Sequence, residues 1–401
     1  MPTEAAAGAV PDTVPDAGAL GALARALLDT ASLTRVLPRR ARVAPAAPFP
    51  GDRTSSAQAL LDRLTDALGT PGVEVVPEPG PLSATELAVS RRLALRPHDG
   101  PADEDLLQDV TRRARTAFPG RPVVVSAHDG SPLRCWAAGP EDAPAVAVVG
   151  ACGMPVGLAA HWMQALSPSY RVVTWESRGL FAADDGSGLG ELTGHGLDVQ
   201  SDDLLAVLDG FGIGRAHAMG LCGGAAIALA AAARSDRITS MSLWHGDYEL
   251  GGAAPKTPHQ RDVESLLAMV ARGRRQAAGM HRLLSRPATL EALRQDIAHY
   301  LIHPYATPEL LYRYGLLNGA IMSTDCRALL TAGPPTLVVT SAKDATAHPA
   351  GSAFVSAHLP RARLRTLPEG DHLTAFDAGG ELVGLAHEFL HEVTTGDRRG
   401  T

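Results

Sequence analysis

The chain has 401 residues, 45% apolar and 20% charged, with a formal net charge of −7. That balance supports a sizeable core and excludes wholesale disorder, and an acidic chain argues against a dedicated nucleic-acid binder. No apolar run reaches the roughly 18 residues of a membrane span, and Met1-Pro2-Thr3-Glu4 lacks the basic start of a secretory signal. Four cysteines, Cys135, Cys152, Cys222 and Cys326, are too few for a disulfide scaffold and have no CxxC zinc spacing. A cytoplasmic, metal-free protein is expected.

Residues 1–50 are rich in Ala and Pro, with one helix expected near Ala19–Leu28 and a basic patch at Arg35, Arg39, Arg40 and Arg42. Ser55 and Gln58 fit a capping box before Leu60, Leu61, Leu64 and Leu68, and Gly69 ends that run. Ser83 and Glu86 repeat the pattern, and Asp103, Glu104 and Asp105 open a third helix. Residues 1–120 therefore read as a tail and helical extension. From 121 the texture becomes α/β. Pro122–Ala127 and Leu133–Ala137 flank His128-Asp129-Gly130, a hairpin signal. Buried parallel strands are expected at Ala145–Val149, Arg171–Trp175, Ala216–Met219, Ile238–Trp244 and Thr336–Thr340. Residues 250–330 interrupt the alternation with helical sequence. They read as a cap over the strand ends, between core segments 121–249 and 331–401.

The strongest chemical signal is Gly220-Leu221-Cys222-Gly223-Gly224, between a strand and the alanine-rich stretch Ala225–Ala233. This is the strand–turn–helix setting of a nucleophile elbow. Small residues let the turn close, the nucleophile sits at its strained tip, and the helix N-terminus favours negative charge on sulfur. The order nucleophile, acid, histidine then selects Asp344 after Thr336–Thr340 and His372 in Glu369-Gly370-Asp371-His372. Asp247 is the competing acid. His217, His245 and His348 are expected to be structural. The oxyanion donors are expected to be the backbone N–H groups of Gly223 and Cys152, with Gly153 second. The Cys152 side chain reads as a space filler.

Residues 121–395 resemble the α/β-hydrolase fold. Trp175-Glu176-Ser177-Arg178-Gly179 is similar to that family's Asp-x-Arg-Gly strand end, and Asp236-Arg237-Ile238 to its Pro-Asp-Arg-Val step. The departures are Cys222 in place of serine and Gly150-Ala151 in place of His-Gly. With the N-terminal extension, they resemble the cysteine-dependent aminoacyltransferases of nonribosomal peptide assembly (the syringomycin and coronamic acid type). That resemblance implies transfer of an aminoacyl or acyl thioester between phosphopantetheinyl carrier proteins. The pantetheine arm is then carried by the partners, and no cofactor is bound by the chain itself.

The nucleophile fits that chemistry. A thioester passed to serine becomes a lower-energy oxygen ester, whereas cysteine keeps it a thioester that moves to another thiol in either direction. In the cap, Arg272, Arg274, Arg275, Arg282 and Arg286 offer a basic face for an acidic carrier. Tyr300, Tyr305, Tyr312 and Tyr314 also fall there. Tyr300 and Tyr312 are candidate substrate contacts, and Asp247 or Glu249 a candidate ammonium site. The alternatives are a thioesterase with the same triad, a non-catalytic binding protein on the same fold, and a hydrolase of small esters or halides.

Overall fold

The computed structural model describes residues 16–397, apart from 48, 50–52, 78–79, 97–102, 118 and 331–332; the tail expected over 1–15 lies outside them. The chain divides into two units, Met1–Ala117 with Pro287–His299, and Phe118–Arg286 with Tyr300–Thr401.

The first unit holds α1 (Ala17–Asp29), α2 (Ala31–Arg35), β1 (Ala41–Val43), α3 (Arg53–Leu68), β2 (Val73–Val75), α4 (Ala84–Leu93) and α5 (Glu104–Thr116). The Ser83–Glu86 capping box forms at the start of α4. The Ser55–Gln58 box does not, because α3 already begins at Arg53. Gln58 instead holds β2: its Nε2 donates to Val73 O at 2.9 Å and its Oε1 accepts Val75 N–H at 2.8 Å. β1 and β2 pair in parallel inside the stretch expected to lack strands. The basic patch is also structural in part, since Arg42 Nε binds buried Glu86 at 2.9 Å. Burial opposes charge on Glu86, yet the Arg42 and Ser83 hydrogen bonds win and hold its carboxyl at about 2. Pro287–His299, expected in the cap, belongs to this unit, where Leu290 and Ala298 are buried.

The second unit is built on an eight-stranded sheet. Its strands are β3 (Val123–Ser126), β4 (Pro132–Ala138), β5 (Ala145–Val149), β6 (Arg171–Trp175), β7 (Ala216–Leu221), β8 (Ile238–Trp244), β9 (Thr336–Ser341) and β10 (Ala362–Leu367). The order is β10-β9-β8-β7-β5-β6-β4-β3. The β3–β4 hairpin is antiparallel and turns at Gly130, whose φ is 83°. β4 also runs antiparallel to β6, and every other pairing is parallel. All six residues of β7 are buried, as a strand covered on both faces requires. The covering helices are α6 (Ala160–Leu166), α7 (Leu197–Gly210), α8 (Gly224–Arg234), α14 (Pro349–His358) and α16 (Gly380–Asp397), with a short α15 (Thr374–Asp377). Between β8 and β9 come α9 (Pro258–Val270), α10 (Arg274–Leu284), α11 (Ala288–Glu291), α12 (Ala298–Leu301) and α13 (Pro308–Ser323). Of these, α9, α10 and α13 pack on one another.

Topology positions the site. The chain adds β6 on one side of β5 and β7 on the other, so the loops leaving β5 and β7 diverge and open a crevice at their C-terminal ends.

Candidate active site

Cys222 sits at the tip of the turn between β7 and α8, with φ 54°. That left-handed conformation is strained for a side chain with a Cβ, and the surroundings enforce it. Cys222 N–H donates to Trp244 O at 3.0 Å, and Cys222 O accepts Ala225 N–H at 3.0 Å. A Cβ on Gly220 would lie 2.5 Å from Ala225 Cα, and one on Gly224 2.2 Å from Val149 O. Both glycines are therefore obligatory for the close helix–sheet approach. Gly223 is not: its nearest neighbour would be Ile321, at 3.5 Å.

The loops after β9 and β10 bring in the acid and the histidine. Asp344 is buried, and each oxygen has fixed partners. Oδ1 accepts the N–H groups of Thr346 and Ala347 at 2.8 and 2.9 Å, and Oδ2 accepts His372 Nδ1–H at 2.9 Å. The histidine loop is an Asx turn in which Asp371 Oδ1 accepts Leu373 N–H at 2.9 Å. It is anchored further by buried Trp162, whose Nε1–H donates to Ala375 O at 2.6 Å. Burial disfavours charge on His372, but the charge of Cys222 and the hydrogen bond to Asp344 outweigh it and hold the imidazole well above the ordinary histidine range. Nε2 itself is buried with no hydrogen-bond partner among the described residues. Cys222 acts on the ring electrostatically, and in resting sites of this kind the nucleophile–base hydrogen bond commonly forms only when substrate binds.

The loop after β5 makes a tight turn from Ala151 to Met154, closed at 3.1 Å, with Gly153 at φ 75° as the third residue of a type II turn requires. Gly153 N–H donates to Ser177 Oγ at 3.0 Å, so it is not the spare donor. Among the described residues, the Cys152 and Gly223 N–H groups make no other backbone hydrogen bond. Burial pushes the Cys152 thiol up to about 12, so it stays a neutral filler beside Cys222.

The cap side of the site is α13. Asn318 and Ile321 face Gly223, and Tyr314 packs on Gly153 and interacts electrostatically with both Cys152 and Cys222. Asn318 Nδ2 donates to Tyr314 Oη at 3.1 Å, tying the pair together. Tyr314, Asn318 and Ile321 lie at i, i+4 and i+7, one face of the helix. That spacing is the signal sequence reasoning left unused. Tyr312 is a correction: two residues from Tyr314, it points the other way and packs on Val270, Ala277 and Leu311 under Arg274. Tyr300 lies against Gly157, beyond the β5 loop. Arg274 is committed to Glu309 at 2.7 Å, while Arg272 and Arg275 are exposed.

Asp247 is not the triad acid, because Asp344 already occupies His372 Nδ1. His217 bridges Ser240 and Ser242 at 2.8 Å each, His245 binds Ser341 at 2.7 Å, and His348 caps α14. In the family-like strand end, buried Arg178 pairs with Asp203 and with Asp129 at 2.6 Å, and Glu176 binds Arg134 at 3.1 Å. These pairs brace the loop after β6. No group of side chains among the described residues has the arrangement of a metal site, and no described helix is long and apolar enough to cross a membrane.

Solved structures share this fold. A hydrolase from Pseudomonas aeruginosa is 25% identical, with 68% of this chain and 99% of that chain covered and a TM-score of 0.52. An enol-lactonase from Burkholderia xenovorans is 22% identical over 67% of this chain and 100% of that one, with a TM-score of 0.53. A thermophilic esterase from Thermogutta terrifontis is 20% identical over 68% and 99%, with a TM-score of 0.52. Residues 146–378 match the alpha/beta hydrolase fold family, and together with the strand order and the elbow they establish that the chain belongs to it.

Proposed function

We propose that the protein is an acyltransferase that moves an aminoacyl or acyl group between the pantetheine thiols of two carrier proteins, with Cys222 as the temporary acceptor. The observation that carries this reading is a cysteine at a strained elbow beside a histidine held by a fully bonded aspartate. His372 takes the proton of Cys222, and sulfur attacks the donor carbonyl. The N–H groups of Cys152 and Gly223 receive the developing oxyanion. The C–S bond to the donor pantetheine breaks, and that thiolate leaves with the proton from His372. The acceptor thiol then gives its proton to His372, attacks the Cys222 thioester and displaces Cys222. Both bonds are thioesters, so neither direction is strongly downhill. A carrier would meet the exposed arginines Arg272, Arg275, Arg282 and Arg286, with Leu283, 48% exposed, among them.

Hydrolysis of the same thioester is the second reading, favoured by the family to which the chain belongs. The test is intact-protein mass spectrometry of wild type and Cys222→Ala after exposure to a panel of aminoacyl-loaded carriers, followed by addition of an empty second carrier. Transfer predicts a mass added to wild type only and then found on the second carrier. Free acid with an empty acceptor selects hydrolysis. Absence of any Cys222 adduct refutes both.

A further inference from the structure

A second carboxylate, Asp247, stands beside the elbow and has no part in the triad. Its N–H approaches Cys222 O at 3.4 Å, and it interacts electrostatically with His372. Its Oδ1 accepts Gln260 Nε2–H at 2.6 Å. The orientation of that amide is fixed, because Gln260 Oε1 accepts the N–H groups of Thr257 and His348 at 2.9 and 3.0 Å. Only the Gln260 NH2 can therefore face Asp247. Among the described residues, the Gln260 amide is the side-chain donor to this half-buried carboxylate, and it bonds Oδ1, leaving Oδ2 for another donor.

The neighbouring cationic groups are already engaged elsewhere: His372 bonds Asp344. Lys256, the basic side chain on this segment, is bonded to both Glu249 and Glu264. Glu249 also accepts Gly251 N–H at 2.6 Å, so it is the wrong candidate for an incoming amine. Among the described residues, Asp247 therefore has no ion pair of its own. A half-buried carboxylate with one neutral donor is poorly compensated, and burial raises the Asp247 carboxyl above its ordinary range.

We infer that Asp247 receives the protonated amine of an α-aminoacyl thioester, with Oδ2 as the acceptor, so that the site selects amino acids over plain acyl groups. The inference rests on the acyl-enzyme reading above and assigns the residue that sets its specificity. A structural role does not need the charge, since asparagine would accept from Gln260 equally well.

The test measures Cys222 adduct formation in the full chain at pH 6.5, where the amine is protonated. The probes are N-acetylcysteamine thioesters in matched pairs: alanyl and propionyl, leucyl and 4-methylpentanoyl, phenylalanyl and 3-phenylpropanoyl. The readout is the aminoacyl-to-acyl ratio of loading rates for the fastest pair, which cancels any general effect on His372. Wild type is expected to prefer the amine by at least tenfold. Asp247→Asn and the smaller Asp247→Ser are expected to lower the ratio by about ten- to a hundredfold. A wild-type ratio near one, or an unchanged ratio in a folded variant, overturns the inference while leaving the acyl-enzyme intact. Absence of any adduct in wild type overturns the acyl-enzyme reading instead.

Discussion

Asp344→Asn should disable Cys222 by placing a proton on the wrong nitrogen of His372. Asp344 Oδ1 accepts two backbone N–H groups at 2.8 and 2.9 Å, and Oδ2 accepts His372 Nδ1–H at 2.9 Å. Asparagine has one acceptor oxygen and one NH2 group. The two backbone donors fix the oxygen on their side, because the flipped amide would set NH2 against both of them. The NH2 then faces Nδ1, which must lose its proton, and the ring proton moves to Nε2, the nitrogen that Cys222 needs. A thiol left without a base, with an ordinary pKa of about 8.5, is about 0.3% ionised at pH 6. In wild type, His372 is held well above the ordinary histidine range, burial being outweighed by the Cys222 charge and the Asp344 hydrogen bond, so the ring is available to hold the proton of the thiol. Allowing for the lower nucleophilicity of a stabilised thiolate, alkylation of Cys222 by iodoacetamide at pH 6 should slow by about 30- to 300-fold. The deficit should shrink as pH rises towards about 8.5. The assay needs no substrate, and the other three cysteines are buried. Rates within threefold of wild type across pH 6–8 would refute the argument.

Three further predictions follow from the packing and charge. Gly224→Ala puts a Cβ 2.2 Å from Val149 O and should cost about 3 kcal/mol or more in urea unfolding, whereas Gly223→Ala, with 3.5 Å clearance, should stay within about 0.5 kcal/mol. Burial lowers His217 to about 3 and His245 and His303 to about 4, so the folded state holds them neutral while the unfolded chain takes up protons below about 6.5. Stability should therefore fall as pH drops from 6.5 towards 4, by up to about 1.4 kcal/mol per pH unit for each histidine; a flat profile in chemical denaturation would contradict this. Arg275→Glu combined with Arg282→Glu should slow loading from a carrier protein by more than tenfold at low salt, and far less from a small thioester. Equal slowing of both would remove this face as the docking surface.

The order of the candidate triad was legible because it depends on local chemistry. Glycines at 220 and 224 flank a cysteine where only a sharp turn fits, and Asp344 and His372 each follow a strand end in the required sequence. What escaped depends on phase and on distant partners. Tyr312 and Tyr314 are equivalent as residue types, yet only helix rotation decides that Tyr314 meets the elbow and Tyr312 packs under Arg274. Gln58 suits a capping box, but β2 offered it two backbone groups across a loop. The three-residue strands β1 and β2 are too short for a period to register. Nor does Pro287–His299 carry any mark separating it from the cap sequence on either side.

One helix, α13, presents Tyr314, Asn318 and Ile321 to the elbow, while every group assigned to bond making hangs from the sheet or its loops. The elbow with its two partner loops and the wall that faces them are therefore carried on separate parts of the chain. Side chains along that one helical stripe can thus be exchanged without touching the turn that holds Cys222 or the loops that hold Asp344 and His372.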